Sequence, residues 1–298
     1  MKYPCKLSWN HNSKVANSKN AQNIRPTFES HCISLIASKL HSRYTERMKT
    51  VSPVLFSPFT HLDAAFTTRH GGVSHPPFNS ANLAFHVGDN PDNVIKNHDL
   101  LAAQFNYNRH HLIHMRQIHS DKIIQIDPTF TFDSPPECDA LITNHRNIPL
   151  MVMSADCTGI LLYDPLHNAI GAIHAGRAGA LAEILPKTIH AMHESFGTSK
   201  EDLYIVLGPS IGGCCYEINE SIALECEQKG YSDSLRREKG KVFLAVNTIL
   251  LQQLDTLNIQ KERIEVIEHC TACKNDDYFS YRADTQQTGR IAGLILLH

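Results

Sequence analysis

The sequence has almost no net charge and no long apolar segment. Its 28 Lys and Arg residues are nearly balanced by 30 Asp and Glu residues, giving a formal net charge of −2. That balance excludes a strong overall field that would attract nucleic acid or an anionic membrane surface. Apolar runs such as 291–297 are far shorter than the ~18–20 residues of a membrane-spanning helix. We therefore expect a soluble protein that binds neither nucleic acid nor membrane.

Two further signatures are missing from the sequence. It lacks the basic start followed by an apolar stretch that is typical of a secretory signal peptide. Its glycines at 208, 212 and 213 do not follow the G-x-x-x-x-G-K-[ST] order of a nucleoside triphosphate loop. The first absence favours a cytoplasmic protein. The second argues against a protein that binds a nucleoside triphosphate through such a loop.

Charge is nevertheless distributed unevenly along the chain. Residues 1–47 carry a net charge of +6, whereas residues 48–298 carry −8. The basic segment is rich in Ser, Asn and Lys and contains the only tryptophan, Trp9. We interpret 1–47 as a weakly ordered extension, with an organellar transit peptide or a start upstream of a true initiator at Met48 as alternatives. Residues 48–298 are then the catalytic domain.

Short apolar runs alternate with helical patterns beyond Met48. A helix is predicted to begin at Asn90-Pro91, because Asn caps helices and Pro suits their first turn. The pattern over 178–196 predicts a helix that Pro186 kinks or divides. Other helices are predicted at 220–229 and 243–254, and strands at 62–68, 150–153, 160–163, 169–173, 203–207, 264–267 and 291–297. Without a regular βαβ rhythm, this order favours one mixed α/β domain.

Nine cysteines and 19 histidines supply side chains for metal binding or nucleophilic chemistry. The odd number of cysteines and the lack of an export signal argue against a disulfide framework. Cys214-Cys215 and the C-x2-C pair Cys270 and Cys273 are expected to be buried, inert thiols. A second, structural zinc site is the alternative for these four.

Three residues at the ends of apolar runs are candidate ligands for one metal ion. They are His119 in RQIHSD, Cys157 in SADC, and His174 at the end of 169–173. Zinc binds imidazole nitrogen and thiolate sulfur, and three protein ligands leave a fourth position open for catalysis. The separations fit no compact metal motif, and Cys157 with His174 would equally make a nucleophile and its base. The spacing alone leaves both alternatives open.

Eight stretches of the sequence, in order over residues 62–298, resemble a known family. They are TTRHGGVS (67–74), NSANLAFHVGDNPD (79–92), RQIHSD (116–121), CDALIT (138–143), MSADCTGILLYDP (153–165), AIGAIHAGRAG (169–179), LGPSIGGCCYEI (207–218) and FSYRADTQQTGRIAG (279–293). The chain is similar to the laccase-domain, or peptidoglycan-editing-factor, family. That family is described as multi-copper polyphenol oxidoreductase-like or as purine nucleoside phosphorylases.

The resemblance implies a fold, a metal centre and a reaction. It implies an α+β (mixed α/β) single domain built as a four-layer α/β/β/α sandwich. It implies that His119, Cys157 and His174 bind one zinc ion per chain. It also implies phosphorolysis of adenosine, inosine, guanosine and 5′-methylthioadenosine, with deamination of adenosine at the same site. A purine nucleoside and phosphate are then the expected partners, and a monomer is the expected state.

Other residues in these stretches are candidates for the remaining chemistry. Deamination needs a carboxylate that moves protons, for which Asp156 is the candidate, with capping or a hydrogen bond to a ligand as its alternative role. Phosphorolysis needs an oxyanion site, for which Arg69, Arg177 and Arg282 are candidates, with structural salt bridges as the alternative. The family usually has HAGWRG where this chain has HAGRAG at 174–179, which puts its rate and substrate preference in question.

Three other functions remain as alternatives. A copper-dependent phenol oxidase would use the same three ligands, because Cu(II) binds such sites tightly. However, a multicopper oxidase needs several histidine clusters. A cysteine hydrolase that edits cell-wall precursors would use Cys157 and His174. A non-catalytic zinc-binding protein is compatible with the HAGRAG departure.

Overall fold

The computed structural model describes residues 47–298, which belong to one compact unit. The predictions made for the N-terminal extension lie outside the described residues. Five α-helices occur in the described part of the chain: α1 Pro91–Gln104, α2 Arg177–Leu181, α3 Ile184–Phe196, α4 Glu220–Gln228 and α5 Val246–Thr256. Of these helices, none has both the length and the apolar character needed to cross a membrane.

The strands form three sheets. The five-stranded sheet has the order β1-β2-β14-β6-β3, with β1 Thr50–Val51, β2 Leu62–Thr67, β14 Ile291–Leu297, β6 Leu150–Ser154 and β3 Ile113–His114. The six-stranded sheet has the order β13-β9-β7-β8-β5-β4, with β13 Ile264–Val266, β9 Tyr204–Leu207, β7 Thr158–Asp164, β8 Ala169–Ala175, β5 Ala140–Thr143 and β4 Ile123–Gln125. The small third sheet has the order β10-β12-β11, with β10 Glu217–Ile218, β12 Lys241–Leu244 and β11 Leu235–Glu238.

Strand β6 separates two apolar cores because its side chains alternate between the faces of the five-stranded sheet. Leu150 and Val152 pack into a core shared with the six-stranded sheet. Met151 and Met153 point the other way and pack in a core that includes Leu101 of α1. The five-stranded sheet therefore lies between α1 and the six-stranded sheet.

Strands β7 and β8 likewise separate two apolar cores, one on each face of the six-stranded sheet. Leu161 and Ile170 face the core between the two sheets. Ile160 and Ile173 face a further core that contains side chains of α2, α3 and α5, including Leu250. Covering on both faces explains why these strands are buried along their whole length. The mixed α/β prediction is confirmed, and the layers follow in the order helix, sheet, sheet, helices.

The helix predicted over 178–196 is divided, but not by its proline. The break lies at Ala182 and Glu183, where Glu183 has a left-handed backbone with φ 62°. Pro186 is the third residue of α3. The first N–H groups of a helix have no partner within it, so a proline there interrupts no hydrogen bond. The predicted start at Asn90 is confirmed, since its side chain accepts a hydrogen bond from Asp92 N at 2.9 Å.

The prediction of a helix over 243–254 begins too early. Phe243 and Leu244 belong to β12, which pairs with β10 and β11, and α5 begins only at Val246. The third sheet was not predicted, because the exposed charged residues of β11, LRRE, give no apolar signal.

Candidate metal centre and active site

The hairpin of β7 and β8 brings two of the three candidate ligands together. Cys157 directly precedes β7, and His174 in β8 is paired with Gly159 two residues further along. His119 comes from the loop between β3 and β4, with a left-handed backbone at φ 58°. One ligand atom from each residue lies within 4.8 Å of the others. Residues 38 and 17 positions apart in sequence therefore form a single cluster.

The donors of this cluster suit a borderline-soft divalent ion. Cys157 Sγ lies 4.0 Å from His119 Nε2, and the two imidazole rings are nearly perpendicular with their centres 4.8 Å apart. His174 is buried, Cys157 is half-buried and His119 is exposed. Two nitrogens and one sulfur, open on one side, are the ligand set of a catalytic rather than a structural zinc site.

Asp139 organises this cluster, and the sequence reasoning did not identify it. Its carboxylate is fully buried and lies 2.9 Å from His174 Nδ1, which leaves His174 Nε2 to face the ligand cluster. The same carboxylate accepts hydrogen bonds from the N–H groups of His119 at 3.0 Å and Ser120 at 2.7 Å, and from Ser120 Oγ at 2.8 Å. One acidic side chain thus orients one ligand and holds the loop that carries another.

The pKa values of the cluster follow from this arrangement. Although burial opposes ionisation, hydrogen bonds from His174 and Ser120 lower the pKa of Asp139 to about 2. Burial likewise disfavours the Cys157 thiolate, but the two imidazoles lower the pKa of Cys157 to about 6. The pKa of His174 rises to about 9 because the charges of Cys157 and Asp139 outweigh its burial. Since a metal must displace the His174 proton, affinity for the metal should fall as the pH falls.

Gly176 is the residue that lets the ligands approach one another. A Cβ at this position would lie 2.9 Å from Cys157 Sγ and 3.3 Å from His119 Cδ2. We expect Gly176→Ala to displace the thiolate and weaken metal binding about tenfold or more, because misplaced ligands cost affinity on that scale. Titration of the metal-free protein with zinc measures this.

Gly179→Ala is the matched control for that prediction. Gly179 lies in α2, the short helix that Gly176 directly precedes, but its added Cβ would be no closer than 3.4 Å to any atom outside the helix, which is ordinary contact. Equal zinc affinity in the Gly176→Ala variant and the wild type would contradict the tight packing described.

The ligand cluster opens into a cavity of about 1000 Å³. This volume is at the upper end of the range for small-molecule sites. Polar and aromatic side chains on its wall include Gln117, Asp156, Arg177, Tyr216, Arg282 and Arg290. A molecule of nucleoside size therefore fits beside the ligands.

Asp156 lines this cavity, and its carboxylate holds two loop segments. Its Oδ1 accepts hydrogen bonds from Thr271 Oγ1 and Ser280 Oγ, both at 2.7 Å, and its Oδ2 accepts one from Arg282 N at 2.7 Å. Its backbone is left-handed, with φ 90°, which is unusual for a residue other than glycine. Such local strain is common at functional sites, where surrounding contacts maintain it.

The three candidate arginines have different environments. Arg177 and Arg282 line the cavity, and Arg177 also forms an ion pair with Glu225 at 3.3 Å. Arg69 does not line it, because its guanidinium donates to the carbonyls of Asn275 and Asn79. Arg69 also lies 3.7 Å from the Asp284 carboxylate. This is the structural role that the sequence left as its alternative.

Arg290 is a cavity residue that the sequence reasoning missed. Within the described part of the chain, its guanidinium donates to the carbonyls of Thr288 and Gly289 and to no carboxylate. Burial is the main cause that lowers the pKa of Arg290 from its ordinary value. The pKa of His86 is also lowered, first by its own burial and then by the positive charge of Arg290. The position was inside a quoted motif, but nothing distinguished it from Arg282 before the fold was known.

The expectation of buried thiols at 214, 215, 270 and 273 is wrong, because none of the four is fully buried. Cys214 and Cys273 are exposed, whereas Cys215 and Cys270 are half-buried. All four lie together, because the turn after β9 and the segment after β13 are adjacent. Burial therefore does not explain these cysteines.

Comparison with known proteins places this site in a family. The family model described as multi-copper polyphenol oxidoreductase laccase matches residues 63–298. A purine nucleoside phosphorylase of Corynebacterium glutamicum is 38% identical over 233 residues, which are 78% of this chain and 93% of that protein. A purine nucleoside phosphorylase of Streptomyces coelicolor is 33% identical over 235 residues, which are 78% of this chain and 94% of that protein.

Solved structures show the same fold. The structure of a hypothetical protein YfiH from Bacillus licheniformis has a TM-score of 0.79 at 28% identity, covering 86% of this chain and 98% of its own. The structure of YlmD from Geobacillus stearothermophilus has a TM-score of 0.77 at 27% identity, covering 81% of this chain and 93% of its own. These agreements match the resemblance seen in the sequence, and the relatives support an enzyme of the phosphorylase kind. The chain belongs to the multi-copper polyphenol oxidoreductase laccase family.

Proposed function

We propose that this protein is a zinc-dependent purine nucleoside phosphorylase that also deaminates adenosine. The substrates are adenosine, inosine, guanosine and 5′-methylthioadenosine, each cleaved by phosphate to the free base and a pentose 1-phosphate. The relatives named as purine nucleoside phosphorylases support the reaction class. The observation that carries the proposal is the position of His119, Cys157 and His174 on the wall of one cavity with three arginines.

The two His residues and Cys157 would hold the zinc ion. When bound, zinc supplies Lewis acidity, which stabilises negative charge that develops during a reaction. Asp139 keeps His174 in the tautomer that presents Nε2 to the cluster. Gly176 packs directly against the Cys157 sulfur, at the open end of the β7–β8 hairpin. These residues therefore prepare the centre before substrate enters.

Arg290 is the strongest phosphate contact among the cavity arginines. Arg177 is already paired with Glu225, and Arg282, which donates to the Glu217 carbonyl, is exposed to solvent, whereas Arg290 is half-buried. Among the described residues, the Arg290 guanidinium donates only to carbonyls and lies over the Tyr281 ring at 5.8 Å, so no carboxylate is paired with it directly. A half-buried guanidinium of this kind binds an oxyanion through two parallel hydrogen bonds.

We expect Arg290→Gln to raise the KM for phosphate about tenfold to 100-fold. A hydrogen bond to a charged group contributes ~1.5–3 kcal/mol, and about 1.4 kcal/mol corresponds to a factor of ten. Initial rates at varied phosphate and saturating adenosine measure the effect. Arg69→Gln is the control, because Arg69 lies outside the cavity and its loss should leave the KM for phosphate unchanged. An unchanged KM in the Arg290→Gln variant would rule out this contact.

Asp156 would move the proton in the deamination of adenosine. Its Oδ2 accepts one hydrogen bond, from Arg282 N, and retains a second lone pair that can accept a proton. The contacts with Thr271 and Ser280 fix the orientation of the carboxylate in the cavity wall. A positioned carboxylate contributes a rate factor of about 10²–10⁴ in general acid–base catalysis.

The experiment that tests this function is incubation of the purified protein with adenosine in the presence and absence of phosphate. Phosphorolysis predicts adenine and ribose 1-phosphate only when phosphate is present. Deamination predicts inosine without phosphate, and inosine together with its phosphorolysis product hypoxanthine when phosphate is present. A protein that releases neither adenine nor inosine from adenosine would contradict the proposal.

One observation favours a second candidate, a cysteine hydrolase. The His174 imidazole lies between the Cys157 thiol and the Asp139 carboxylate. This is the spatial order of a nucleophile, its base and the acid that orients the base. Alkylation of thiols would abolish such an activity, and a metal chelator would leave it unchanged. The zinc enzyme shows the opposite response to the chelator.

A further inference from the structure

A second group of soft donors lies outside the cavity. The Sγ atoms of Cys214, Cys215, Cys270 and Cys273 all lie within 4.8 Å of one another, and we call them the cysteine cluster. Cys273 Sγ lies 3.3 Å from Cys215 Sγ and 3.5 Å from Cys214 Sγ. Nothing in the proposed reaction uses these thiols.

The spacing of the sulfurs corresponds to a tetrahedral metal shell. Zinc–thiolate bonds of about 2.3 Å place the four sulfurs ~3.8 Å apart. A disulfide instead brings two sulfurs to about 2.05 Å and gives no reason for the other two to converge. Convergence of all four thiols on one point therefore favours a shared ion over a pair of bonded cysteines.

The two loops that carry the cysteines are already joined by backbone contacts. Ser210 N donates to His269 O at 3.2 Å, and Thr271 N donates to Ser210 O at 3.1 Å. These hydrogen bonds fix Cys270 opposite the turn that contains Cys214. A preformed scaffold of this kind lowers the conformational cost of binding a metal.

The surroundings of the sulfurs suit a negatively charged thiolate shell. Gly212 N donates to Cys270 Sγ at 3.2 Å. The guanidinium of Arg236, which also pairs with the Glu238 carboxylate, donates to the Gly213 carbonyl at 3.1 Å and so holds the residue before Cys214. Four thiolates around a divalent cation carry two net negative charges, so the N–H of Gly212 stabilises the loaded state. The exposure of Cys214 and Cys273 also gives an ion a path from solvent.

We propose that the cysteine cluster is a second metal site, which holds a structural zinc ion. Four protein thiolates fill a tetrahedral shell and leave no position for substrate, so this ion takes no part in the chemistry. Its role is to fasten the turn after β9 to the segment after β13. It differs in that respect from the open cluster of His119, Cys157 and His174.

The fastened segments form part of the cavity wall. Thr271 follows Cys270 and donates to Asp156 Oδ1 at 2.7 Å. Tyr216 follows Cys215, lines the cavity, and stacks under the guanidinium of Arg282 at 5.3 Å. A metal at the cysteine cluster therefore holds in place groups that face the substrate.

The test is the zinc content of the full-length chain, measured by elemental mass spectrometry on wild type, Cys273→Ser, Cys157→Ala and the double variant. We expect two zinc ions per wild-type chain, one in each single variant and none in the double variant. Cys226→Ala is the control, because this buried thiol belongs to an apolar core and its loss should leave both ions. Cobalt-loaded Cys157→Ala should retain the absorption of a thiolate–cobalt centre, and Cys214→Ser in that background should lose it.

The outcomes separate this inference from the proposed function. One zinc per wild-type chain that is lost in Cys157→Ala and kept in Cys273→Ser would overturn the inference and leave the function standing. One zinc that is lost in Cys273→Ser and kept in Cys157→Ala would support it and contradict the first site. A disulfide at Cys273 in the freshly purified wild type, found by intact mass, would also overturn it.

Discussion

Cys157→Ala is expected to lose its bound metal and at least about 100-fold in the rate of adenine release, while the fold survives. The size follows from the several kcal/mol that a Lewis acid contributes to a transition state, since about 1.4 kcal/mol is a factor of ten. The fold survives because Cys157 is only half-buried and lies in a turn. His119→Ala, at an exposed position, should behave in the same way.

Metal content, turnover and circular dichroism on the same samples check this first prediction. Cys226→Ala is the control for the loss of a thiol, because Cys226 is buried in an apolar core away from the ligand cluster. It should keep metal and turnover. A Cys157→Ala variant that lacks metal yet keeps full activity would exclude a catalytic role for the centre.

Asp139→Asn is expected to weaken metal binding about tenfold to 100-fold and to destabilise the fold by roughly 2–4 kcal/mol. Five donors converge on the Asp139 carboxylate, from Ile118, His119, Ser120 and His174. An asparagine amide replaces one acceptor oxygen by a donor, so some of these buried donors lose their partner whichever way it turns. The loop that carries His119 then loosens together with the orientation of His174.

The matched control is Asp164→Asn at the turn end of the β7–β8 hairpin, away from the candidate ligands. Asp164 is also fully buried and also contacts a histidine, with Oδ2 2.7 Å from His167 Nδ1. Its replacement should cost stability but leave metal affinity unchanged. Zinc titration and urea unfolding of both variants separate the two effects. Equal metal affinity in Asp139→Asn and wild type would contradict the orienting role.

After a chelator has removed the metal, the Asp139 carboxylate also makes the free energy of unfolding depend on pH. Its pKa of about 2 lies below the ordinary value of 3.8, so the folded state binds a proton less readily than the unfolded state. The stabilisation, roughly 2 kcal/mol, is therefore present above pH ~4 and is lost as the pH falls toward about 2. The difference in unfolding free energy between wild type and Asp139→Asn should narrow over that interval. A constant difference between pH 5 and pH 2.5 would show that the charge is not responsible.

The sequence predicted the three candidate ligands, which the structure brings together, but not Asp139, which orients His174. His119, Cys157 and His174 each follow an apolar run, and the family resemblance joined them into one site. Asp139 is also inside a quoted stretch, as the acidic residue before strand β5. Its contact with His174 depends on the pairing of β5 with β8, which no local pattern reveals.

The roles of the arginines could not be predicted from the sequence for the same reason. Arg69, Arg282 and Arg290 lie in stretches of similar specificity, yet only the latter two line the cavity. Whether a guanidinium meets a carbonyl, a carboxylate or open space is decided by tertiary packing. The long apolar strands β6, β7, β8 and β14 were predictable because burial on both faces leaves a continuous apolar run.

The measurement that tests the central claim most directly is removal and restoration of the metal with turnover measured on one sample. The protein is treated with a chelator, dialysed, and divided into portions that receive zinc, copper or neither, with Cys157→Ala treated in parallel. We predict that phosphate-dependent release of adenine from adenosine is lost with the metal and restored by zinc in the wild type alone. Adenine release that persists without metal, or phenol oxidation restored by copper with no nucleoside cleavage under any condition, would contradict the account.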